Sequence, residues 1–143
     1  MLLDTNVISE LVRASPDPSV ANFVRGQSPD SVFTAAICEA EIHYGLARLP
    51  RGRRRDDLTA RMTAFLAAGL RARILPFDSA CAALYGKIRA DREAAGKPIT
   101  VEDGMIAATA RAYGAMVVTR NLADSRDCGI DIASPWDPVV PGS

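Results

Sequence analysis

The feature that most constrains this chain is a repeated order: a short apolar run, a polar residue at its end, then residues at helical spacing. Met1-Leu2-Leu3 runs into Asp4, and Val7 to Val12 follows as a short helix broken by Pro16 and Pro18. Val20, Phe23 and Val24 repeat at helical spacing before Gly26. Ser31 to Ala35 reads as a strand and Ala36 to Leu49 as a helix, with Ile42, Leu46 and Leu49 on one face. Arg53 to Ala68 reads as the next helix, with Leu58, Met62, Phe65 and Leu66 on one side. Arg73 to Phe77 is a strand, and Asp78 caps a helix carrying Cys81, Leu84, Tyr85 and Ile88. Thr100 opens a helix to about Tyr113, terminated by Gly114. Ala115 to Thr119 is a buried-type strand, and Ile130 to Ala133 is another candidate. Such alternation predicts an α/β fold, with a central parallel β-sheet flanked by helices. Ligands of such folds sit beyond the carboxyl ends of the strands. The acids that follow strands are therefore the residues to weigh.

A chain of 143 residues, 48% hydrophobic and 24% charged, has enough apolar surface for one ordinary core. With no repeat and no Gly/Ser linker, it reads as one domain over residues 1–136 and an irregular, proline-bearing tail over 137–143. No apolar run approaches the roughly 18 residues of a membrane span, and the first residues lack a basic start. The expectation is a cytoplasmic protein without a membrane partner. Net charge is zero, yet 15 of the 17 cations are arginine, and Arg48, Arg51, Arg53, Arg54 and Arg55 crowd together. They form either a solvated face or a phosphate-contacting strip. Cys38, Cys81 and Cys128 lie far apart without a CxxC pair, and His43 is the only histidine. Neither a disulfide framework nor a zinc knuckle is indicated, and a multi-histidine metal site is impossible. Catalysis has to rest mainly on carboxylates.

Each acid has a plain structural reading beside a chemical one. Asp4 either caps the following helix or points into the crevice at the sheet edge. Glu41 borders the apolar stripe of its helix, whereas Glu39 lies about 200° around the axis, so the two cannot enter one site. Asp103 either completes a capping box with Thr100 or stands as an acid at the mouth of an apolar helix. Asp124 lies in the loop after the last clear strand, with Asp127 as its competitor. Four converging carboxylates need hard divalent cations as counter-charge. Two Mg²⁺ or Mn²⁺ ions would balance them, the arrangement of two-metal phosphodiester chemistry.

Leu3-Asp4-Thr5-Asn6, Glu41-Ile42-His43-Tyr44-Gly45, the run from Asp103 to Ala110, and the run from Thr119 to Asp124 together resemble the PIN-domain pattern. Their order and spacing resemble those of the VapC-type toxins of bacterial toxin–antitoxin pairs, over Met1 to about Trp136. The resemblance implies a PIN-like metal-dependent endoribonuclease with Mg²⁺ or Mn²⁺ as cofactor. It assigns the metal-holding quartet to Asp4, Glu41, Asp103 and Asp124, supported by Asn6 and Thr119. A cognate VapB-like antitoxin is the implied partner, with RNA as substrate and promoter DNA reached only through the antitoxin. A homodimer or higher assembly is expected. Two positions depart from the pattern. Gly104 replaces a helix former, which weakens the helix start, and Ser125 replaces an aromatic after the last acid.

Two other readings compete. A haloacid dehalogenase-like phosphatase also places an Asp after its first strand, but Asn6 stands where it needs a second one. Only Lys87 and Lys97 are available as its phosphate-binding lysine. A binding module acting within a DNA-bound toxin–antitoxin complex needs its partner for DNA affinity, because this chain is neutral.

Overall fold

The computed structural model describes residues 1–137. Among these residues, five two-residue strands alternate with helices: β1 (Leu2–Leu3), β2 (Thr34–Ala35), β3 (Ile74–Leu75), β4 (Val117–Val118) and β5 (Ile132–Ala133). All pairings are parallel: β1 with β4, β4 with β5, and β2 with β3. A parallel bridge between Leu2 and Phe33 joins the two groups, giving the order β3-β2-β1-β4-β5. The chain thus builds outward from β1 through β2 to β3, then places β4 on the other side of β1. That reversal opens a crevice at the carboxyl ends of β1 and β4.

Seven α-helices complete the described residues: α1 (Thr5–Leu11), α2 (Pro18–Arg25), α3 (Ala36–Arg48), α4 (Arg53–Ala64), α5 (Ser79–Ala94), α6 (Val101–Ala112) and α7 (Leu122–Ser125). Successive strand residues point to opposite faces, so each strand feeds two cores. Leu3 and Val118 pack with Val7, Ile8, Ile42 and Met62 on one face. Leu2 and Val117 pack with Cys38, Ile106 and Ala110 on the other. A third cluster under α5 and α6 holds Ile88, Ala107, Ala108 and Cys128. Burying each of these large aliphatic side chains stabilises by roughly 1.5–3 kcal/mol.

Several boundaries differ from the sequence expectation. The first helix begins at Thr5, not near Val7, because Asp4 Oδ1 accepts from the Thr5 N–H at 2.7 Å. The expected helix to Ala68 leaves α geometry at Ala64 and widens over Phe65–Gly69, where the Leu70 N–H bonds Phe65 O at 2.8 Å. The wide turn carries Leu66 and Leu70 into the core together. Pro29 starts a 3₁₀ turn over Pro29–Ser31, so the second strand keeps only Thr34–Ala35 in its ladder.

Two glycines have specific reasons. Gly114 has φ +63° and ends α6 as expected. A Cβ on Gly104 would lie 2.9 Å from Tyr85 Cε2, so any larger residue there has to displace the Tyr85 ring at the α5–α6 contact. Of the expected tail, residues 138–143 lie outside the described residues.

Candidate functional site

Asp4 continues the β1 ladder by one residue, its N–H donating to Val118 O at 2.9 Å. The carboxylate therefore emerges at the crevice between β1 and β4. Oδ1 caps α1, and Oδ2 accepts from the Thr119 hydroxyl at 2.8 Å. The two readings of Asp4 are both true, one oxygen for each. Thr119 is buried at the matching end of β4, its N–H bound to Ala133 O at 3.0 Å. It also accepts from the Asn121 N–H at 3.2 Å. Asn6 accepts from the Arg120 N–H at 3.2 Å, tying the loop after β4 to the first turn of α1.

Glu41 reaches the same edge from α3. Its Oε2 accepts from the Thr5 hydroxyl at 3.1 Å, while Oε1 is buried without a hydrogen-bond partner. Asp103 is half-buried at the start of α6, its N–H capped by Thr100 Oγ1 at 3.2 Å. Asp124 is half-buried on α7. Asp127 is exposed and pairs with Lys97 at 3.8 Å.

These acids act on one another. Burial pushes the Asp4 carboxyl above its ordinary value, and the Asp124 charge adds to it. Burial also raises Glu41, with further contributions from Asp4, Asp103 and Glu102. Asp103 rises through burial and then through the charges of Asp124, Asp4 and Glu102. Among the described residues, no lysine or arginine nitrogen lies within 4.0 Å of any of the four acids. Nor are three carboxylate, imidazole or thiol groups there drawn into a ready-made cage. The acids form an open, mutually repelling cluster at one edge, and not the tight convergence expected from sequence.

The arginine strip divides. Arg51, in the loop before α4, and Arg53 and Arg54 are exposed, and Arg55 is half-buried, the last three in the first turn of α4. Arg54 faces a groove of about 520 Å³ that it shares with Thr5 and Glu41. Arg51 and Arg55 line a separate hollow with Asp56 and Thr59. His43 is exposed on α3 and has no place in the cluster.

Sequence reasoning missed three contributors. Thr5 orients Glu41, a role that depends on where α3 lands. Glu102 adds negative charge to the cluster, although it reads as an ordinary first-turn acid. Arg92 is buried on α5, where Nη1 donates to Arg126 O at 2.6 Å and Asp124 O at 3.4 Å. Its Nε donates to Lys97 O at 2.7 Å, so one guanidinium ties α7 to the end of α5. No local pattern marks Arg92. The thiol of Cys38, 4.0 Å from Asp4 Oδ1, is pushed up to about 12 by burial and by that carboxylate. It is an inert filler beneath the site.

A family model described as the PIN domain matches residues 1–123. The chain belongs to the PIN-domain family. It is 41% identical over 139 residues to a VapC ribonuclease of Sinorhizobium fredii, covering 97% of this chain and 99% of that one. It is 36% identical over 136 residues to Toxin FitB of Neisseria gonorrhoeae, covering 95% and 98%. Among solved structures, FitAB bound to a DNA fragment superposes with a TM-score of 0.88 at 36% identity, over 96% of each chain. This PIN domain thus matches those relatives end to end, with its acids at the switch point of the sheet.

Proposed function

We propose that the chain is a metal-dependent endoribonuclease, the toxin of a VapBC-like toxin–antitoxin pair, with residues 1–136 as the nuclease domain and 137–143 as a tail. The observation that carries this reading is Glu41 Oε1: a buried carboxylate oxygen without a donor, beside Asp4, in a cluster lacking protein counter-charge. Burying such charge is expensive unless a cation meets it. An all-oxygen donor set suits Mg²⁺ or Mn²⁺. When bound, such ions would neutralise charge at the phosphodiester and lower the pKa of water, so that hydroxide is available as the nucleophile near neutral pH.

The protein's own part is positioning. Asp4 is locked by bonds to both oxygens, and Thr5 holds Glu41 by one oxygen, leaving the other for a cation. Asp103 and Asp124 complete the quartet from α6 and α7, with Asn6 and Thr119 fixing the loop. No side-chain nucleophile is needed. Arg54, on the rim of the shared groove, is placed to meet the RNA backbone; Arg51, Arg53 and Arg55 extend that basic surface.

The groove also suits the antitoxin. Val12, Ile42, Leu46, Leu58 and Met62 give it an apolar floor, and Glu41 stands in its wall. A flexible antitoxin segment with apolar anchors and a terminal cation fills such a groove and neutralises the acids. DNA binding falls to the antitoxin, because this chain has no net charge. Symmetric assembly through a homodimer and a cytoplasmic location complete the reading. No helix among the described residues is long and apolar enough to cross a membrane.

The test is RNA cleavage by the purified chain with Mg²⁺ or Mn²⁺ and with EDTA, beside Asp103→Asn. Loss of cleavage in EDTA and in the variant is expected. Full cleavage by the variant removes the metal assignment. Partner-dependent DNA binding without any RNA cleavage favours the binding-module reading instead.

A further inference from the structure

Arg120 follows Thr119, whose hydroxyl bonds Asp4 at 2.8 Å, so its backbone is one residue from the acid cluster. Its N–H is pinned to Asn6 at 3.2 Å. The side chain is exposed, and its guanidinium carbon lies 4.9 Å from the centre of the Trp136 ring. Trp136 in turn packs against the core cluster around Leu3 and Val118. The guanidinium is therefore held against a buttressed indole, and not left to sweep through solvent. Its charge reaches Asp17, whose carboxyl is held below its ordinary value first by its hydrogen bonds to Ser19 and also by Arg120. No carboxylate among the described residues comes within 4.0 Å of the Arg120 guanidinium nitrogens.

We propose that Arg120, held on Trp136, takes a phosphate of the RNA strand beside the acid cluster, with Trp136 as its positioning residue. The inference rests on the ribonuclease reading and names a substrate contact within it. An anionic cluster repels a polyanion, so a strand entering the crevice needs a fixed cation along its path, and Arg120 starts from the backbone next to Thr119 with its guanidinium placed outward on Trp136. A guanidinium donates in its own plane and binds phosphate bidentately. Contact with the ring face leaves the guanidinium N–H groups that point away from the indole open to a ligand. Less side-chain freedom is lost on binding than for an arginine free in solvent. The arginines of α4 sit on another element and cannot supply this contact from the loop after β4.

The experiment uses a single-stranded RNA oligonucleotide and the Asp4→Asn protein with Mg²⁺, so that the strand is bound uncut. Trp136 is the only tryptophan in the sequence, and its emission reports directly on this pair. RNA is expected to shift that emission. Arg120→Gln should weaken binding about tenfold, the low end for a charge-assisted hydrogen bond. The slope of log affinity against log salt should become shallower by about 0.7, the value for one phosphate contact on a single strand. Arg120→Lys keeps the charge without the planar fork and should fall between. In the cleaving protein, Arg120→Gln should raise KM and leave kcat near its original value. Trp136→Phe, followed by RNA anisotropy, should lose less affinity than Arg120→Gln, since Phe keeps an aromatic face. Unchanged affinity and salt slope in Arg120→Gln, with normal cleavage by the parent chain, would overturn the inference and leave the ribonuclease reading standing. No RNA binding and no cleavage by the parent chain would overturn both.

Discussion

Replacing Asp4 by asparagine should move activity and stability in opposite directions, and the sign of the stability change should depend on metal. Asparagine keeps the shape and an oxygen for the Thr5 N–H. Its amide can donate to Thr119 Oγ1, so the hydrogen bond there reverses and survives. What disappears is one charge from a half-buried cluster in which burial first, and then neighbouring carboxylates, raise the affinity of Asp4, Glu41 and Asp103 for protons. In EDTA at neutral pH the variant should therefore be more stable, by about 1 kcal/mol on the scale of surface-charge optimisation. For a domain of this size that is a rise in Tm of roughly 2–4 °C. Mg²⁺ at a hundredfold excess over Kd stabilises the parent by about 2.7 kcal/mol. If the lost carboxylate weakens metal binding a hundredfold, the variant gains only about 0.4 kcal/mol under the same conditions. The order of stabilities reverses, with the parent ahead by roughly 1 kcal/mol. Thermal melts of both proteins with EDTA and with a Mg²⁺ series provide the measurement, beside RNA cleavage. A variant less stable than the parent in EDTA, or equal stabilisation of both by Mg²⁺, would refute mutual repulsion at Asp4 or its part in holding the metal.

Raised carboxyl values also set the pH dependence of the metal-free protein. The native state of Asp4, Glu41 and Asp103 holds protons that the unfolded chain releases around the ordinary values, 3.8 for Asp and 4.5 for Glu. Their favourable contribution is full below those values and is lost as pH rises through the higher folded ones. Urea midpoints in EDTA should fall from about pH 4 toward 7, and less steeply in Asp4→Asn; parallel curves contradict the assignment. Glu41→Gln should cost at least about 100-fold in RNA cleavage and Glu39→Gln less than about twofold; a reversal would mean that the wrong face of α3 meets the site. Gly104→Ala should destabilise by about 1–3 kcal/mol in urea titration, despite the better helix propensity of alanine, because its Cβ meets Tyr85 at 2.9 Å. A more stable Gly104→Ala would show that the α5–α6 interface gives way. Asp124→Asn should raise the Mg²⁺ concentration needed for half-maximal cleavage without abolishing it, and Asp127→Asn should not; the opposite ranking would reassign the loop acid.

What was legible in the sequence is what local chemistry encodes. The alternation of apolar runs and helical spacing predicts the parallel sheet, and Asp78, Thr100 and Gly114 occupy the capping positions that their residue types predict. Asp4 was legible because an acid directly after a strand lies at the carboxyl edge whatever the rest of the fold does. Glu41 needed helical geometry to separate it from Glu39. The strands were legible in place but not in length, because two ladder residues carry each strand while the remaining apolar residues pack in loops and turns. Gly104 looked like a weakness because propensity is a local quantity and the ring of Tyr85 is not. Thr5 acts on Glu41 36 residues away, Arg92 on Asp124 and Arg126 32 and 34 residues away, and the Arg120 N–H on Asn6 114 residues away; no short window along the chain contains these pairs.

The zero net charge hides a segregation that stability alone would not select. Arg53, Arg54 and Arg55 begin α4, where the helix dipole disfavours cations by about 0.3–1 kcal/mol each at low salt. At the crevice, four acids and Glu102 stand together without a protein cation within 4.0 Å of the quartet. Exchanging a few charges between these regions would relieve both costs. The arrangement makes sense for a substrate that is a polyanion with one bond to be cut. Under the proposed ribonuclease reading, the basic rim would attract the strand and the acidic centre would repel it until divalent cations neutralise it. That reading predicts a thermodynamic link: each divalent cation held by the quartet would remove repulsion toward phosphate, and by reciprocity bound RNA would tighten the metal by the same factor, which metal titrations with and without uncut RNA measure.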